Sequence, residues 1–299
     1  MTSELKKLCF FCSKPIEGKK SMEHIIPNSL LGKLGIKEET VTGERKTQYS
    51  RIKVPSHKIC NNEFGSAYED RVLELLEDPD NLYDLLISEE NSLPTTYQPD
   101  NSANSIITTW LSKIFYGLFY DDLLKTNNEP WREICESIIS SQNFEFVRSS
   151  YANGYGFQLP SSLYVFKTNN SATDLMTMAS PSTILFKIKN LTFILCICDG
   201  FLTKNYLFGE NLGRLRSWIK EEELNNANFP SHKLAFGEIL ALRTCIPKSP
   251  IFISSENQIT NMSTFTMAAN PAKQYQIDDD SLSQARSEIF TSLNINLAS

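Results

Sequence analysis

Ser21-Met22-Glu23-His24-Ile25-Ile26-Pro27-Asn28 sets an acid and a histidine side by side, just ahead of a proline that stops the segment. Metal-type pairs flank it, Cys9-Phe10-Phe11-Cys12 before and His57-Lys58-Ile59-Cys60 after, the second running straight into Asn61-Asn62. A zinc ion takes four soft or borderline ligands in a tetrahedron, and two such pairs supply them on two knuckles. Cys9, Cys12, His57 and Cys60 are therefore the expected ligands of a structural Zn2+. The 44 residues between Cys12 and His57 exceed what a zinc finger needs, so the ion would clamp the two ends of an inserted segment that carries Glu23-His24. The plainer alternative, core thiols with a surface histidine and a solvent-facing strand end, leaves the paired spacing at both ends of one module unexplained.

Working outward, Leu8 to Phe11 and Glu23 to Ile26 read as short strands joined by a turn around Glu17-Gly18-Lys19-Lys20, and Pro27 ends the second. Residues 28 to 50 are polar and glycine-punctuated, a long loop with room for a short helix; such loops serve sites or move. Ile52 to Val54 forms a brief strand. From Asn61, apolar residues at Phe64, Ala67, Tyr68, Val72, Leu75 and Leu76 recur near helical spacing, which predicts a helix just after Cys60. The Asp78-Pro79-Asp80 turn closes this module, and the Ser-, Pro-, Thr- and Asn-rich residues 91–103 read as a linker.

Beyond it, Ile106 to Leu124 is a strongly apolar helix and Pro130 to Ser141 a second, with Pro130 in its first turn. Phe144 to Val147, Ser162 to Lys167, Thr183 to Lys189 and Leu191 to Cys198 read as strands, the last two a hairpin over Lys189-Asn190. Leu212 to Leu224 and His232 to Cys245 read as helices, Ile251 to Ser255 as a strand, and Asp280 to Leu293 as a closing helix with acids at its positive end. His232, Cys196 and Cys198 read as structural. The fold class is α+β: a zinc-stapled module over 1–90, a boundary loop over 91–103, and a larger domain of mixed helix and antiparallel sheet over 104–299.

With 299 residues and 41% hydrophobic content, the chain can fill a sizeable core. The longest apolar runs fall short of a membrane span and the start lacks a signal-peptide core, so a cytoplasmic protein with no membrane partner is expected. Seven cysteines are an odd number, which suits reduced thiols plus a metal site better than disulfides. The net charge of −6 hides an asymmetry: residues 1–60 carry 12 Lys/Arg against 6 Asp/Glu, the remainder 17 against 29. Contact with phosphates therefore belongs to the front, where Arg45, Lys46, Arg51 and Lys53 are candidates, while the acidic remainder favours a protein or small-ligand partner or self-association.

Residues 9 to about 76, through Cys9-x2-Cys12, Glu23-His24-Ile25-Ile26-Pro27 and Cys60-Asn61-Asn62 opening a helix, resemble the HNH, or ββα-metal, endonuclease family in its zinc-braced subgroup. The resemblance implies that Glu23 binds a catalytic divalent metal, that His24 is the general base, and that Asn61, with Asn62 next in line, completes the metal site. Oxygen donors of this kind suit Mg2+ or Mn2+, and an imidazole of ordinary pKa can take a proton from water at cellular pH. The family's orienting Asn is Ile52 here, so Gln48, Asn28 or a backbone carbonyl has to hold His24, and Glu63, Phe64 and Gly65 stand where the family carries a Lys. The implied function is a metal-dependent endonuclease acting on nucleic acid, DNA in the first place, in a layout that fits a defence or restriction effector by analogy alone. The competing expectation is a non-catalytic zinc-stabilised module that binds nucleic acid or protein.

Overall fold

A computed structural model of the chain describes residues 2–17, 21–41, 45, 47–90, 101–169, 172–246, 252–255, 258–261 and 277–297, and folds them as a mixture of helices and antiparallel sheets. Contacts divide the chain into two units, Met1–Asp78 with Gln98–Leu159 and Pro79–Tyr97 with Pro160–Ser299. The units interleave in sequence. The apolar helix after residue 103 thus folds with the front segment, because that segment has too little apolar surface of its own to close a core.

The first unit opens with α1 (Thr2–Leu5) and a knuckle in which Leu8 bridges Pro15, Cys9 N–H donates to Lys14 O at 2.9 Å and Ser13 takes a left-handed φ of 65°. Leu8 to Phe11 is accordingly not the strand its apolar content suggests, since these hydrogen bonds close the backbone on itself. The turn expected at 17–20 lies largely outside the described residues. β1 (Ser21–His24) ends before Pro27, which caps α2 (Asn28–Leu34); Gly35 stops that helix at φ 71°, in the left-handed region glycine tolerates. A short pair, β2 (Thr40–Val41) with β3 (Thr47–Gln48), precedes β4 (Lys53–Ser56), which pairs antiparallel with β1. α3 (Lys58–Phe64) starts at the His57 cap, so Cys60 lies in its first turn rather than ahead of it. A π-helical turn over Gly65–Glu69 joins α3 to α4 (Asp70–Leu75).

α5 (Pro79–Glu90), with proline at its first position, belongs to the second unit; most of the linker expected at 91–103 lies outside the described residues. The first unit resumes with α6 (Ala103–Lys125), which is buried almost all round, α7 (Glu129–Ile139) and α8 (Gln142–Ala152). Phe144 to Val147, expected as a strand, lies in α8. Ser141 accepts from Phe144 N–H at 3.2 Å, and this cap together with apolar residues three and seven apart selects the helix.

Phe10 and Phe11 carry the knuckle into the core. Phe10 lies 5.0 Å from Phe157 and 5.4 Å from Tyr120, and Phe11 stacks on Phe64 at 5.0 Å. Aromatic pairs at such spacing add about 0.5–1.5 kcal/mol each beyond area burial. α6 approaches the residue that follows β1 closely at Gly117, where an added Cβ would stand 2.1 Å from Ile25 Cδ1 and 2.7 Å from its Cγ1. Gly117→Ala gains up to ~1 kcal/mol of helix propensity but overpacks this contact by about 1–3 kcal/mol. A net loss is expected, read as a lower urea midpoint; a higher midpoint would contradict the close approach.

In the second unit, β5 (Ser162–Lys167), β6 (Asp174–Met178), β7 (Thr183–Ile188) and β8 (Leu191–Cys196) form an antiparallel sheet of order β5-β8-β7-β6, with the expected hairpin between β7 and β8. β6 was not legible in advance, being half-buried at the sheet edge. The helices are α9 (Leu202–Tyr206), α10 (Glu210–Asn225) and α11 (Ser231–Cys245); then come the pair β9 (Phe252–Ser255) with β10 (Gln258–Asn261), and last α12 (Asp279–Ser292). Tyr164, Ile194, Phe236, Leu240 and Phe290 belong to one apolar core. Among the described residues, no helix is long and apolar enough to cross a membrane.

Candidate functional site

Two knuckles bring Cys9, Cys12, His57 and Cys60 together, with all four ligand atoms within 4.8 Å of one another. His57 Nδ1 lies 3.4 Å from Cys12 Sγ and 3.8 Å from Cys60 Sγ. Metal bonds of ~2.3 Å to sulfur and ~2.0 Å to nitrogen give a tetrahedron with edges of about 3.5–3.8 Å, so the two histidine–sulfur distances suit a metal such as zinc. His57 Nε2–H donates to Pro15 O at 3.0 Å, which turns the Nδ1 lone pair toward the thiols. The knuckle is held from outside as well, since Phe10 N–H donates to Pro55 O at 2.8 Å and Arg148 donates to Cys9 O at 2.8 Å. Burial pushes the Cys60 thiol far up, with Cys9 and Cys12 adding to it, and burial also raises Cys12. Burial makes the thiolate form costly here without a neighbouring cation, and the Cys3His set could hold one such as zinc.

The acid-histidine pair sits inside the clamp. In the β1–β4 register Glu23 faces Val54 and His24 faces Lys53. Successive strand residues turn to opposite sides, so Glu23 is buried while His24 is half-buried. Asn28, one of the expected candidates, holds the histidine: its side-chain amide lies 2.9 Å from His24 Nε2. It can do so because α2 starts directly after Pro27 and brings Asn28 back beside the strand end. Burial lowers His24 to about 4, and Lys53, Lys113 and Lys37 push the same way. The imidazole is therefore neutral at neutral pH.

Glu23 has a partner that the sequence reading missed. Lys113 of α6, fully buried, donates to Glu23 Oε1 at 2.6 Å, to His24 O at 2.7 Å and to a Glu69 carboxylate oxygen. Its three N–H donors are thereby used. Burial raises the Glu69 carboxyl, Lys113 opposes the rise, and Glu23 adds to it. Glu69 reaches this point because the π-helical turn places it five residues after Phe64, on the same face, and the Lys113 ammonium lies 5.3 Å from the Phe64 ring centroid. A lone lysine in the middle of a 23-residue helix that is otherwise mostly apolar was the available signal, since buried lysines are almost always paired.

Asn61 is half-buried and Asn62 exposed in α3, which runs beside β1. Of the expected phosphate contacts, Arg45 is instead ion-paired with Asp121 and Asp122. Arg51 is exposed, Lys53 is half-buried with its backbone N–H on Asp121 at 3.2 Å, and Lys46 lies outside the described residues. A cavity of about 420 Å3 lies beside the Cys3His cluster, lined among others by Cys12, His57, Cys60, Tyr68 and Tyr151 but not by His24 or Glu23. His232 pairs with Asp174 at 3.0 Å, and Cys196 and Cys198 are buried free thiols, consistent with structural roles. No family model matches the chain, and no curated protein or solved structure matches it.

Proposed function

We propose that this chain hydrolyses phosphodiester bonds in nucleic acid, DNA in the first place, with His24 as general base and a divalent ion held by Glu23 and Asn61. The observation that carries the reading is a neutral, half-exposed imidazole oriented by Asn28 on a β1–β4–α3 unit whose ends the Cys3His cluster draws together. Its base form needs the Asn28 amide oxygen on the Nε2 contact, so that Nε2–H donates and the Nδ1 lone pair is left to take a proton from water; a half-turn of the amide supplies this. The donor set for the ion, a carboxylate and an amide, is hard oxygen of the kind Mg2+ or Mn2+ takes. Glu23 Oε1 is given to Lys113, which leaves Oε2 for the ion. A bound ion would supply charge neutralisation at the phosphate and the leaving oxygen. Arg51 and Lys53 are the remaining described candidates for phosphate contact.

One observation favours a second reading, a zinc-stabilised module that binds nucleic acid or protein without catalysis: the carboxylate expected to meet the metal is already paired with a buried ammonium. Supercoiled plasmid with Mg2+ or Mn2+ separates the two. Cutting is expected, and His24→Ala should reduce it by about 10²–10⁴. A plasmid left intact in both metals by a zinc-loaded protein would favour the second reading, and undiminished cutting by His24→Ala would remove the base assignment.

A further inference from the structure

We propose that Lys113 and Glu69 are positioning residues that set how strongly the Glu23 corner attracts a cation, Lys113 acting as a built-in counter-charge to a pair of carboxylates. This rests on the reading of Glu23 as a metal ligand and deepens it. The Lys113 ammonium is inaccessible to solvent, while the Glu23 and Glu69 side chains are 8% and 12% exposed. One positive charge therefore faces two carboxylates, and the cluster carries a formal net charge of −1 where solvent screens it only weakly. The same ammonium takes the His24 carbonyl, so a single group fixes the Glu23 carboxylate and the strand end that carries His24. With its three donors engaged it has none left for a phosphate, so its part is to hold the acids and offset their charge.

The arrangement predicts opposite responses to two substitutions. Glu69→Gln keeps an oxygen to accept from Lys113 and removes one negative charge, so the zinc-loaded full chain should bind Mn2+ more weakly by about tenfold or more. Lys113→Met removes the positive charge, so Mn2+ should bind tighter than in wild type by about tenfold or more. Mn2+ should also raise the thermal midpoint of Lys113→Met more than that of wild type. The double variant restores the net charge of −1 and should return near wild-type affinity, which also provides a reading if Lys113→Met alone folds poorly.

Titration by Mn2+ electron paramagnetic resonance with plasmid cutting run in parallel reads these outcomes. Shifts of the same sign, as from general loosening of the core, or unchanged affinities in both single variants, would overturn the proposal while leaving the nuclease reading intact wherever wild type binds Mn2+ and cuts. Binding by Lys113→Met with none by wild type would support the counter-charge and remove the metal-dependent reading. No binding by wild type or by any variant would overturn both.

Discussion

Cys60→Ser is expected to abolish stoichiometric zinc and to lower the thermal midpoint by on the order of 10 °C or more. Zinc in small Cys/His sites contributes folding free energy outright, about 10–16 kcal/mol in isolated fingers near neutral pH. Here part of the fold stands without it. Phe10 packs against Phe157 and Tyr120, and Phe11 against Phe64 and Tyr151, contacts that do not pass through the four ligand atoms. A loss of several kcal/mol is therefore expected rather than complete unfolding, and each kcal/mol is worth roughly 2–4 °C in a chain of this size. Elemental analysis should find about one zinc per wild-type chain and none in the variant. A chelator should lower the wild-type midpoint to that of Cys60→Ser and leave the variant unchanged, because both remove the same interaction. A metal-free Cys60→Ser protein that melts like wild type would contradict the staple.

Asp199→Ala should cost about 3–5 kcal/mol in the second unit, from loss of a buried network and orphaned donors. The Asp199 carboxylate is fully buried and accepts from Ser162 N–H at 2.9 Å, Ser162 Oγ–H at 2.8 Å, Phe201 N–H at 3.1 Å and Thr203 N–H at 3.0 Å. These bonds hold a turn in which Cys198, Gly200 and Phe201 all have φ between 51° and 64°, a region side chains other than glycine seldom occupy. Burial raises the Asp199 carboxyl, with Arg243 and the N–H donors of the turn pulling against it. Asp199→Asn keeps one acceptor oxygen and removes the buried charge, so its loss should be smaller. The urea midpoint of each variant reads the result, and an alanine variant within ~1 kcal/mol of wild type would show that the network does not brace the turn.

Much of the architecture was legible because it rests on local signals. The apolar run around Trp110 and Leu111, the hairpin at Lys189-Asn190 and the terminal helix after Asp278 follow from periodicity, turn chemistry and capping, and each lies close to where expected. Phe144 to Val147 shows the limit. Four residues with apolar side chains at Phe144, Phe146 and Val147 fit a strand as well as a helix, and the Ser141 cap decided between them. Leu8 to Phe11 shows another, since a knuckle and a strand share the same apolar composition and differ only in where the backbone hydrogen bonds go.

The candidate site divides along the same line. Sequence alone marked Cys9, Cys12, His57 and Cys60 as a potential metal set, because ligand spacing is a local property, and it named Asn28 among the groups able to hold His24. Tertiary structure alone decided what Glu23 faces. Lys113 lies 90 residues away and Glu69 46, and both arrive through the packing of α6 on the front segment and the π-helical turn after α3. A buried charge has to find its partner wherever the fold brings one, and spacing along the chain does not record that meeting. The pair that began as an acid beside a histidine is, in the folded chain, a histidine held by Asn28 at the surface and an acid held by Lys113 within.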